Sequence, residues 1–434
     1  MSKNKQHRPP SSSTNLQVSK APTKSVGLPA IMESMKQMGR WMDMPKAFKA
    51  SMKMNQKDGF DCPGCAWPDP NDERSSVGEY CENGIKALAE EATNKKADPR
   101  FFAQYSVQEL SEMSDYQLGK SGRITDPMYL APGATHYKKI SWDNAMQKMA
   151  NQLKELDDPD EAIFYTSGRT SNEAAFMYGT FIRAFGTNNL PDCSNMCHES
   201  SGYALSKTQG IGKGSVVLSD IYEADLVIIM GQNPGTNHPR MLSALEKNKV
   251  NGGTIVAVNP LKEAGLLHYT NPQKPFRMLT GGLVLTDLYL QVNINGDLAL
   301  LKAILFKLQQ REEAGESIWD RSFIDEHTEG YDELKAEIQA TNLEACIKEC
   351  GIDSDKIDEL VDLIAKKEKI IICWAMGLTQ QVNGVATIQE IVNLLLLKGS
   401  LGKPGAGTCP VRGHSNVQGD RTMGIWEKMP DSFH

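Results

Sequence analysis

Short runs of consecutive apolar residues constrain the fold of this chain more than any other feature. Three of them, Leu226–Met230, Thr254–Val258 and residues 370–375, alternate with helical patterns. A shorter run at residues 162–165 also predicts a strand. Strands that are apolar throughout are buried on both faces, as in parallel βαβ units. The sequence therefore predicts an α/β fold with doubly wound parallel sheets.

The loops that follow these runs are candidate ligand-binding segments. Residues 231–238 follow the first run, and residues 259–261 follow the second. Open parallel sheets bind their ligands beyond the carboxyl ends of the strands. We therefore expect the two loops to lie at one crevice.

The size and composition of the chain indicate a globular enzyme of several domains. With 434 residues, 36 glycines and 21 prolines, it is rich in loops and too long for one ordinary core. A net charge of −7 argues against a nucleic-acid partner. No apolar run approaches the roughly 18–20 residues of a membrane span. Nine scattered cysteines do not resemble a secreted disulfide framework, and residues 1–24 resemble no export signal, so we predict a cytoplasmic protein.

Changes in composition divide the chain into four predicted regions. Residues 1–57 are predicted to form a flexible arm, whose methionines pack it onto the body because methionine fills irregular gaps. Residues 58–135 form a cysteine-bearing segment and a polar connector. An α/β domain follows at residues 136–275, and residues 276–434 form a second α/β region with a glycine-rich loop. The abrupt end of that region predicts a truncated or split polypeptide.

The first cysteine group offers thiolates to a metal. Cys62 and Cys65 are separated by two residues, and Cys81 follows after fifteen more. A two-residue spacer lets one turn present both sulfurs to the same metal, and both zinc and iron–sulfur clusters bind thiolates. The pattern leaves three interpretations open: an iron–sulfur cluster, a small zinc site, or reduced thiols in a turn.

A second thiol stands beside a histidine. Cys197 is a candidate ligand of a soft transition metal, and the adjacent His198 could pass a proton near neutral pH. Cys193, four residues earlier, is predicted to be structural. The alternative is that Cys197 is a buried structural cysteine at a helix start and His198 is incidental.

Together these motifs resemble the molybdopterin oxidoreductase superfamily, and within it the catalytic subunits of the formate dehydrogenase type. The resemblance covers about residues 58–430 and is carried by the Cys-Pro-Gly-Cys-Ala-Trp-Pro-Asp run from Cys62, the Met-Cys-His-Glu-Ser-Ser run around Cys197, and the loop at residues 402–419. It implies a molybdenum bis-(molybdopterin guanine dinucleotide) centre and a [4Fe-4S] cluster. It also implies a small anionic substrate such as formate and an electron-acceptor protein as a partner.

The resemblance assigns catalytic roles to three residues. It implies that Cys197 ligates the metal, that His198 relays a proton, and that Arg412 holds the substrate carboxylate. A guanidinium group suits that last role because its planar fork matches the two carboxylate oxygens.

The resemblance also assigns ligands to the cluster. Cys62 and Cys65 resemble the first pair of a four-cysteine motif, Cys81 resembles its last member, and Lys86 resembles a residue that bridges cluster and pterin. The third cysteine is missing. A non-protein ligand or one of two nearby aspartates could replace it, namely Asp61 or Asp69.

Contacts to the dinucleotide are implied for residues in four loops. Backbone N–H groups at a strand-to-helix turn suit a pyrophosphate, and glycine permits its close approach. The implied contact residues are Gly231, Gln232, Asn233, Pro234, Asn237, His238, Asn259, Gly377, Thr379, Gln380 and Asn416.

The sequence leaves three alternatives to a formate dehydrogenase. The chain could use the same cofactor on a different small substrate, it could be a truncated cofactor-binding protein without activity, or it could be a zinc-stabilised α/β domain.

Overall fold

A five-stranded parallel sheet forms the centre of the protein in the computed structural model, which describes residues 22–71, 74–75 and 78–428. The strands of the described residues are β1 (Ser25–Val26), β2 (Lys96–Ala97), β3 (Arg123–Ile124), β4 (Met128–Tyr129), β5 (Lys138–Lys139), β6 (Leu226–Met230), β7 (Thr254–Val258), β8 (His268–Thr270), β9 (Leu283–Val284), β10 (Leu288–Leu290), β11 (Ile370–Trp374) and β12 (Gly407–Pro410). The central sheet has the order β10-β7-β6-β11-β12. All of its neighbouring strands are parallel.

The central strands are buried on both faces, as their sequence predicts. Successive side chains of a strand point to opposite faces. Leu226 and Ile228 of β6 accordingly lie in one apolar core, with helices Asp297–Glu313 and Gly384–Leu397. Val227 lies in the other core, which includes residues of helix Met241–Val250. Helices thus cover both faces of the sheet, and the predicted α/β fold is confirmed.

Helices occupy most of the remaining described residues. In chain order they are Gly27–Trp41, Met44–Ser51, Glu82–Glu91, Pro99–Gln104, Val107–Glu112, Asp115–Lys120, Trp142–Lys154, Asn172–Phe185, Cys193–Cys197, Glu199–Gln209, Leu218–Glu223, Pro234–Asn237, Met241–Val250, Ala264–Leu267, Pro275–Thr280, Asp297–Glu313, Arg321–His327, Tyr331–Gln339, Leu343–Cys350, Ser354–Lys366, Met376–Thr379, Gly384–Leu397 and Val417–Thr422, with a 3-10 turn at Pro159–Glu161.

The strand order places a topological switch point between β6 and β11. Chain progression runs outward from β6 through β7 to β10, and then returns to the other side of β6 with β11 and β12. Ligands of doubly wound sheets bind at the point where the order reverses. The loops after β6 and β11 therefore meet at the favoured binding position of this fold.

The two predicted α/β regions share this one sheet. Strands β6 and β7 come from residues 136–275, whereas β10, β11 and β12 come from residues 276–434. They are joined because β11 pairs with β6 along five residues. The boundary near residue 275 is therefore not a boundary between separate sheets.

Two further differences concern individual segments. Residues 162–165 were predicted as a strand but form none. Among the described residues, the only β-bridge near them is an isolated one between Thr166 and Asp192. The predicted helix after Ser141 is present as Trp142–Lys154, and Ser141 caps it by accepting the N–H of Asn144.

The cysteine segment is packed together with part of the predicted arm. Residues 27–51 form two helices that pack against helix Glu82–Glu91 instead of remaining flexible. The reason is an apolar cluster that includes Trp41, Met54 and Ile85. The methionine packing expected for the arm contributes to it, and residues 1–21 lie outside the described residues.

In the part of the chain that the structure describes, no helix has both the length and the apolar character needed to cross a bilayer.

Candidate active site

A cavity of about 810 Å³ lies at the switch point, between the cysteine segment and the ends of β6 and β11. Proteins bind drug-sized ligands in cavities of roughly 300–1,000 Å³. The predicted site residues that line this cavity are Cys62, Cys65, Cys81, Lys86, Gly231, Gln232, Asn233, Asn237, His238 and Gly377. Residues far apart in the sequence thus meet at one binding position.

Two glycines close the base of the switch point. Gly231 follows β6 with a φ of 55°, in the left-handed region that favours glycine. The N–H of Gly377 donates to the carbonyl of Gly231 at 3.0 Å. A Cβ atom on Gly377 would lie 2.5 Å from that same oxygen. The two loops can therefore touch only because neither residue has a side chain.

Cys197 lies at the C-terminus of helix Cys193–Cys197, beside the cavity. Its thiol donates to the Met376 sulfur at 3.4 Å, and Met376 lines the cavity. Burial raises the pKa of the Cys197 thiol, and the nearby Arg412 charge opposes this effect only in part. The cation favours a thiolate, which is the form that binds metals.

His198 is 1% exposed, and both of its ring nitrogens are occupied. Ser201 Oγ accepts a hydrogen bond from Trp374 Nε1 at 2.9 Å, so its own hydrogen donates to His198 Nδ1 at 3.0 Å. Nε2 donates to the Val411 carbonyl at 3.1 Å. Burial and the Arg412 charge lower the pKa of His198 to about 3. The imidazole is therefore neutral, with its proton on Nε2.

Arg412 is 8% exposed and lies close to Cys197. Its two Nη atoms donate to the carbonyls of His198 and Gly212, at 3.5 and 3.2 Å. Its Nε is buried and has no partner in the described part of the chain. Since a buried guanidinium N–H without a partner is costly, Arg412 retains capacity to bind an anion.

His238 and Gln232 line the cavity from the loop after β6. His238 Nε2 donates to the Arg412 carbonyl at 2.8 Å, and its Nδ1 faces Gln232 Nε2 at 3.4 Å. Gln232 is 2% exposed, and its Oε1 has no partner among the described residues. A polar cofactor with an N–H group would satisfy this oxygen, so the lining fits such a group.

The three thiols of the cysteine segment share the other wall of the cavity. Cys62 Sγ accepts the N–H of Gly64 at 3.3 Å, and Cys81 Sγ accepts that of Gly84 at 3.4 Å. Burial raises the pKa of all three thiols, and that of Cys81 to about 12.

Arg240 opposes this effect of burial on each thiol through its positive charge. The sequence pattern gave no indication of this residue. It forms ion pairs with Asp69 at 2.9 Å and with Glu79 at 2.7 Å, and its side chain is 12% exposed. Arg240 belongs to the sheet-bearing body, so it anchors the cysteine segment there.

The described residues contain no group of three or more His, Cys, Asp or Glu side chains arranged around a single metal ion. A [4Fe-4S] cluster is held by cysteine thiolates as one multi-iron unit. Asp61 and Asp69 both line the cavity, but Asp69 is paired with Arg240 and Arg74. The cysteines therefore share a cavity without forming a tetrahedral single-ion site.

Other predicted contact residues lie outside the cavity and hold protein backbone. Thr379 Oγ1 donates to the Cys197 carbonyl at 2.6 Å, and Gln380 Nε2 donates to the Met196 carbonyl at 2.9 Å. Asn416 Nδ2 donates to the Thr170 carbonyl at 2.7 Å. These side chains support the Cys193–Cys197 helix and its neighbouring loops.

The last two residues of the predicted set serve local turns. Asn259 Nδ2 donates to the Leu261 carbonyl at 3.0 Å, within the loop after β7. Pro234 begins the short helix Pro234–Asn237, where its fixed φ is suited to the first helical position.

Comparison with known proteins agrees with this geometry. Residues 123–424 match the molybdopterin oxidoreductase family. An uncharacterized oxidoreductase of Mycobacterium tuberculosis is 51% identical over 419 residues, which are 96% of this chain and 54% of that protein. The protein YdeP of Escherichia coli is 47% identical over 398 residues, which are 90% of this chain and 52% of that protein. The chain thus spans about half the length of these relatives.

More distant similarities extend to a formate dehydrogenase subunit and, for the fold alone, to a hydratase. A formate dehydrogenase alpha subunit of Methanococcus maripaludis is 31% identical over 296 residues, which are 68% of this chain and 40% of that protein. Acetylene hydratase from Pelobacter acetylenicus shares the fold with a TM-score of 0.53 and 19% identity, over 63% of this chain and 35% of that chain. The family match covers more than half of the sequence. The cavity of this chain lies at the switch point, where folds of this class bind ligands. The chain belongs to the molybdopterin oxidoreductase family.

Proposed function

We propose that this chain forms the cofactor-binding part of a molybdenum-dependent oxidoreductase of the formate dehydrogenase type, with Cys197 as the protein ligand of the metal. One observation carries the proposal: the Cys197 sulfur contacts Met376 at the edge of the cavity, close to the positive charge of Arg412. That charge favours a thiolate. No other described cysteine forms a hydrogen bond with Met376 at the switch point.

The cavity loops would hold the cofactor in its bis-(molybdopterin guanine dinucleotide) form. Gly231 and the helix start at Pro234–Asn237 offer backbone close to the cavity, and Gln232 Oε1 offers a buried acceptor without a partner. When bound, the molybdenum-pterin group supplies the two-electron redox chemistry, while the protein supplies binding, orientation and electrostatics. Cys62, Cys65 and Cys81 are the proposed ligands of a [4Fe-4S] cluster, which when bound supplies one-electron transfer to an acceptor protein.

Arg412 would orient a small anionic substrate. Its buried Nε needs an acceptor, and its charge lies close to the Cys197 sulfur. Charge-assisted hydrogen bonds from a guanidinium group suit a carboxylate. The activity named for the Methanococcus maripaludis relative makes formate the first substrate to test.

The contacts of His198 favour a positioning role over the predicted proton relay. Its Nε2 donates to the Val411 carbonyl, and its Nδ1 is occupied by Ser201. Passing a proton would require one of these buried bonds to open. We therefore propose that His198 fixes the loop that carries Arg412. The proton relay through His198 remains a prediction.

The metal-ligand role is tested by elemental analysis and turnover. The protein is produced anaerobically with its maturation machinery, and molybdenum, tungsten, iron and zinc are measured together with formate-dependent dye reduction. Cys197→Ala should abolish turnover while the fold is retained, and Cys346→Ala, a half-buried cysteine in helix Leu343–Cys350, is the matched control. Turnover of Cys197→Ala within a few-fold of wild type would remove the metal-ligand claim.

The substrate role of Arg412 is tested by a conservative substitution. Arg412→Lys should raise the KM for formate more than it lowers cofactor content, because lysine loses the planar fork. Arg311→Lys, in helix Asp297–Glu313, is the control. An unchanged KM in Arg412→Lys would contradict the proposed role.

The same measurements separate the alternatives. Molybdenum or tungsten with oxidation of a different small substrate would retain the cofactor class and replace formate. Molybdenum without turnover of any small substrate would favour a non-catalytic cofactor-binding protein. Zinc at the three cysteines without a pterin would favour a zinc-stabilised domain.

A further inference from the structure

Helix Trp142–Lys154 leaves its apolar face open. Trp142, Met146 and Met149 are each more than half exposed. They stand at positions i, i+4 and i+7, so they share one face of the helix. No residue of this helix is buried by the described part of the chain. A helix of this length is marginal on its own, so it needs a partner that covers its apolar face.

A second helix nearby in the sequence presents the same kind of face. In helix Asn172–Phe185, the side chains of Phe176, Met177 and Phe181 are exposed. Only two of the fourteen residues of this helix carry a charge. A helix that faces water usually has a polar outer face, and exposed apolar surface marks an interaction site. The outer face of this helix therefore also suits contact with another polypeptide.

The segment between the two helices has the alternation of a β-strand. Ile163 is 73% exposed and Tyr165 is exposed, whereas Phe164 between them is half-buried. The Phe164 ring packs against three aromatic rings of helix Asn172–Phe185, with centroids 5.8 to 6.3 Å away. Successive side chains of a strand point to opposite sides. The segment thus packs one side onto the helix and leaves the other side open.

The backbone of this segment is paired at one edge. The Phe164 N–H donates to the Asn189 carbonyl at 2.9 Å, and the bridge from Thr166 to Asp192 lies just beyond it. The Ile163 backbone forms no hydrogen bond among the described residues. Unpaired N–H and C=O groups at an exposed edge are a template for another strand. The segment therefore has the sequence and one edge of a strand, but its second edge is open.

We propose that residues 142–185 form an incomplete α/β layer, and that a polypeptide equivalent to the unmatched part of the relatives completes it. The matched region is 54% of the Mycobacterium tuberculosis relative and 52% of YdeP, so nearly half of each relative remains. One strand of that polypeptide pairs with residues 162–165, and apolar side chains beside it cover the two helix faces. Addition of a strand to an open edge is an established mode of recognition.

The proposal explains why residues 162–165 have the sequence of a strand but form none here. A strand is defined by its pairing, and one neighbour of this segment belongs to the other polypeptide. The proposal applies equally to a separate chain and to one continuous with this chain. It does not depend on the function proposed for Cys197.

The test is co-expression of this chain with the unmatched part of the Mycobacterium tuberculosis relative. The two should purify as an equimolar complex. Amide exchange at residues 162–165 should be at least about tenfold slower than in this chain alone, because these amides become part of a sheet. Met177→Glu should abolish the complex, since it buries a charge in the covered face. Ile294→Glu, at a largely exposed side chain elsewhere, is the matched control and should leave the complex intact.

A fused protein keeps the test decisive if the added polypeptide does not fold as a separate chain. The same part of the relative is joined to this chain through a flexible linker, and exchange at residues 162–165 should slow to the same extent. Unchanged exchange at these residues in the fused protein would overturn the proposal. A complex that forms equally well with Met177→Glu would also overturn it.

Two other occupants of this face are separated by measurements on this chain alone. Self-association that slows exchange at residues 162–165 and is lost in Met177→Glu would assign the face to a second copy. Binding to vesicles of phosphatidylcholine and phosphatidylglycerol, lost in the same variant, would assign it to a membrane surface. Either result would refute completion by the other polypeptide.

Discussion

Replacing Gly377 by alanine tests whether the loops after β6 and β11 are in contact at the switch point. The new Cβ would lie 2.5 Å from the Gly231 oxygen and 2.6 Å from the Gly231 Cα. Unbonded heavy atoms prefer separations of about 3.5–4.0 Å, so the loops would have to part by roughly 1 Å. Both obstructing atoms belong to the backbone, so the rotation of a side chain cannot relieve the overlap.

The expected loss of stability has two parts. Overpacking of this kind costs about 1–3 kcal/mol. Separation of the loops also breaks the 3.0 Å hydrogen bond from the Gly377 N–H to the Gly231 carbonyl, which costs about 1 kcal/mol. Gly377→Ala should therefore lower the free energy of unfolding by about 2–4 kcal/mol.

The control is a glycine with open space around it. A Cβ on Gly39, in helix Gly27–Trp41, would meet nothing within 4 Å. Gly39→Ala should be neutral or should gain up to about 1 kcal/mol, since alanine favours helices. Urea unfolding measures the change in the free energy of unfolding. The pterin content after gel filtration measures whether the protein retains its cofactor. Gly377→Ala with wild-type stability and full pterin content would refute contact between the loops.

Two other predictions concern buried charges. Arg240→Met should weaken the anchoring of the cysteine segment by about 3 kcal/mol, since it leaves Asp69 and Glu79 without their shared cation. Limited proteolysis should then cut that segment faster, while Arg40→Met, an exposed control, should leave the rate unchanged. Burial raises the pKa of Asp297 from 3.8 to about 6. Between these pH values the folded state binds more protons than the unfolded state. The stability of the folded state therefore falls as the pH rises from about 4 to about 6. Asp297→Asn should therefore match wild type below about pH 4 and be more stable by about 3 kcal/mol above pH 6. Urea unfolding across this range measures the difference, and a constant difference at all pH values would contradict the assignment.

The sequence predicted the interior of the sheet better than its edges. Strands β6, β7 and β11 are continuous apolar runs because helices cover them on both faces. The edge strand β12 contains glycine and proline, and β10 has only three residues. Proline is tolerated at a sheet edge because its missing N–H faces no partner there. Edge strands therefore carry a weaker sequence signal, and neither β10 nor β12 was predicted.

The predicted site was partly assembled by the fold and partly redistributed. The cysteine segment and the loop after β6 do meet at one cavity, as expected for the carboxyl ends of parallel strands. Thr379 and Gln380, however, are occupied with the backbone near Cys197. A motif identifies the residue types of a loop, but hydrogen-bond partners depend on which distant segment the loop packs against.

The sequence by itself determined the α/β class, the central strands and the residues whose chemistry suits a metal, since these follow from local periodicity and residue type. Only the tertiary structure decided that β11 pairs with β6, that Arg240 anchors the cysteine segment, and that His238 holds the Arg412 carbonyl. The physical reason is range: strand pairing, ion pairing and buried hydrogen bonds join residues more than a hundred positions apart, and no local pattern encodes such a partner.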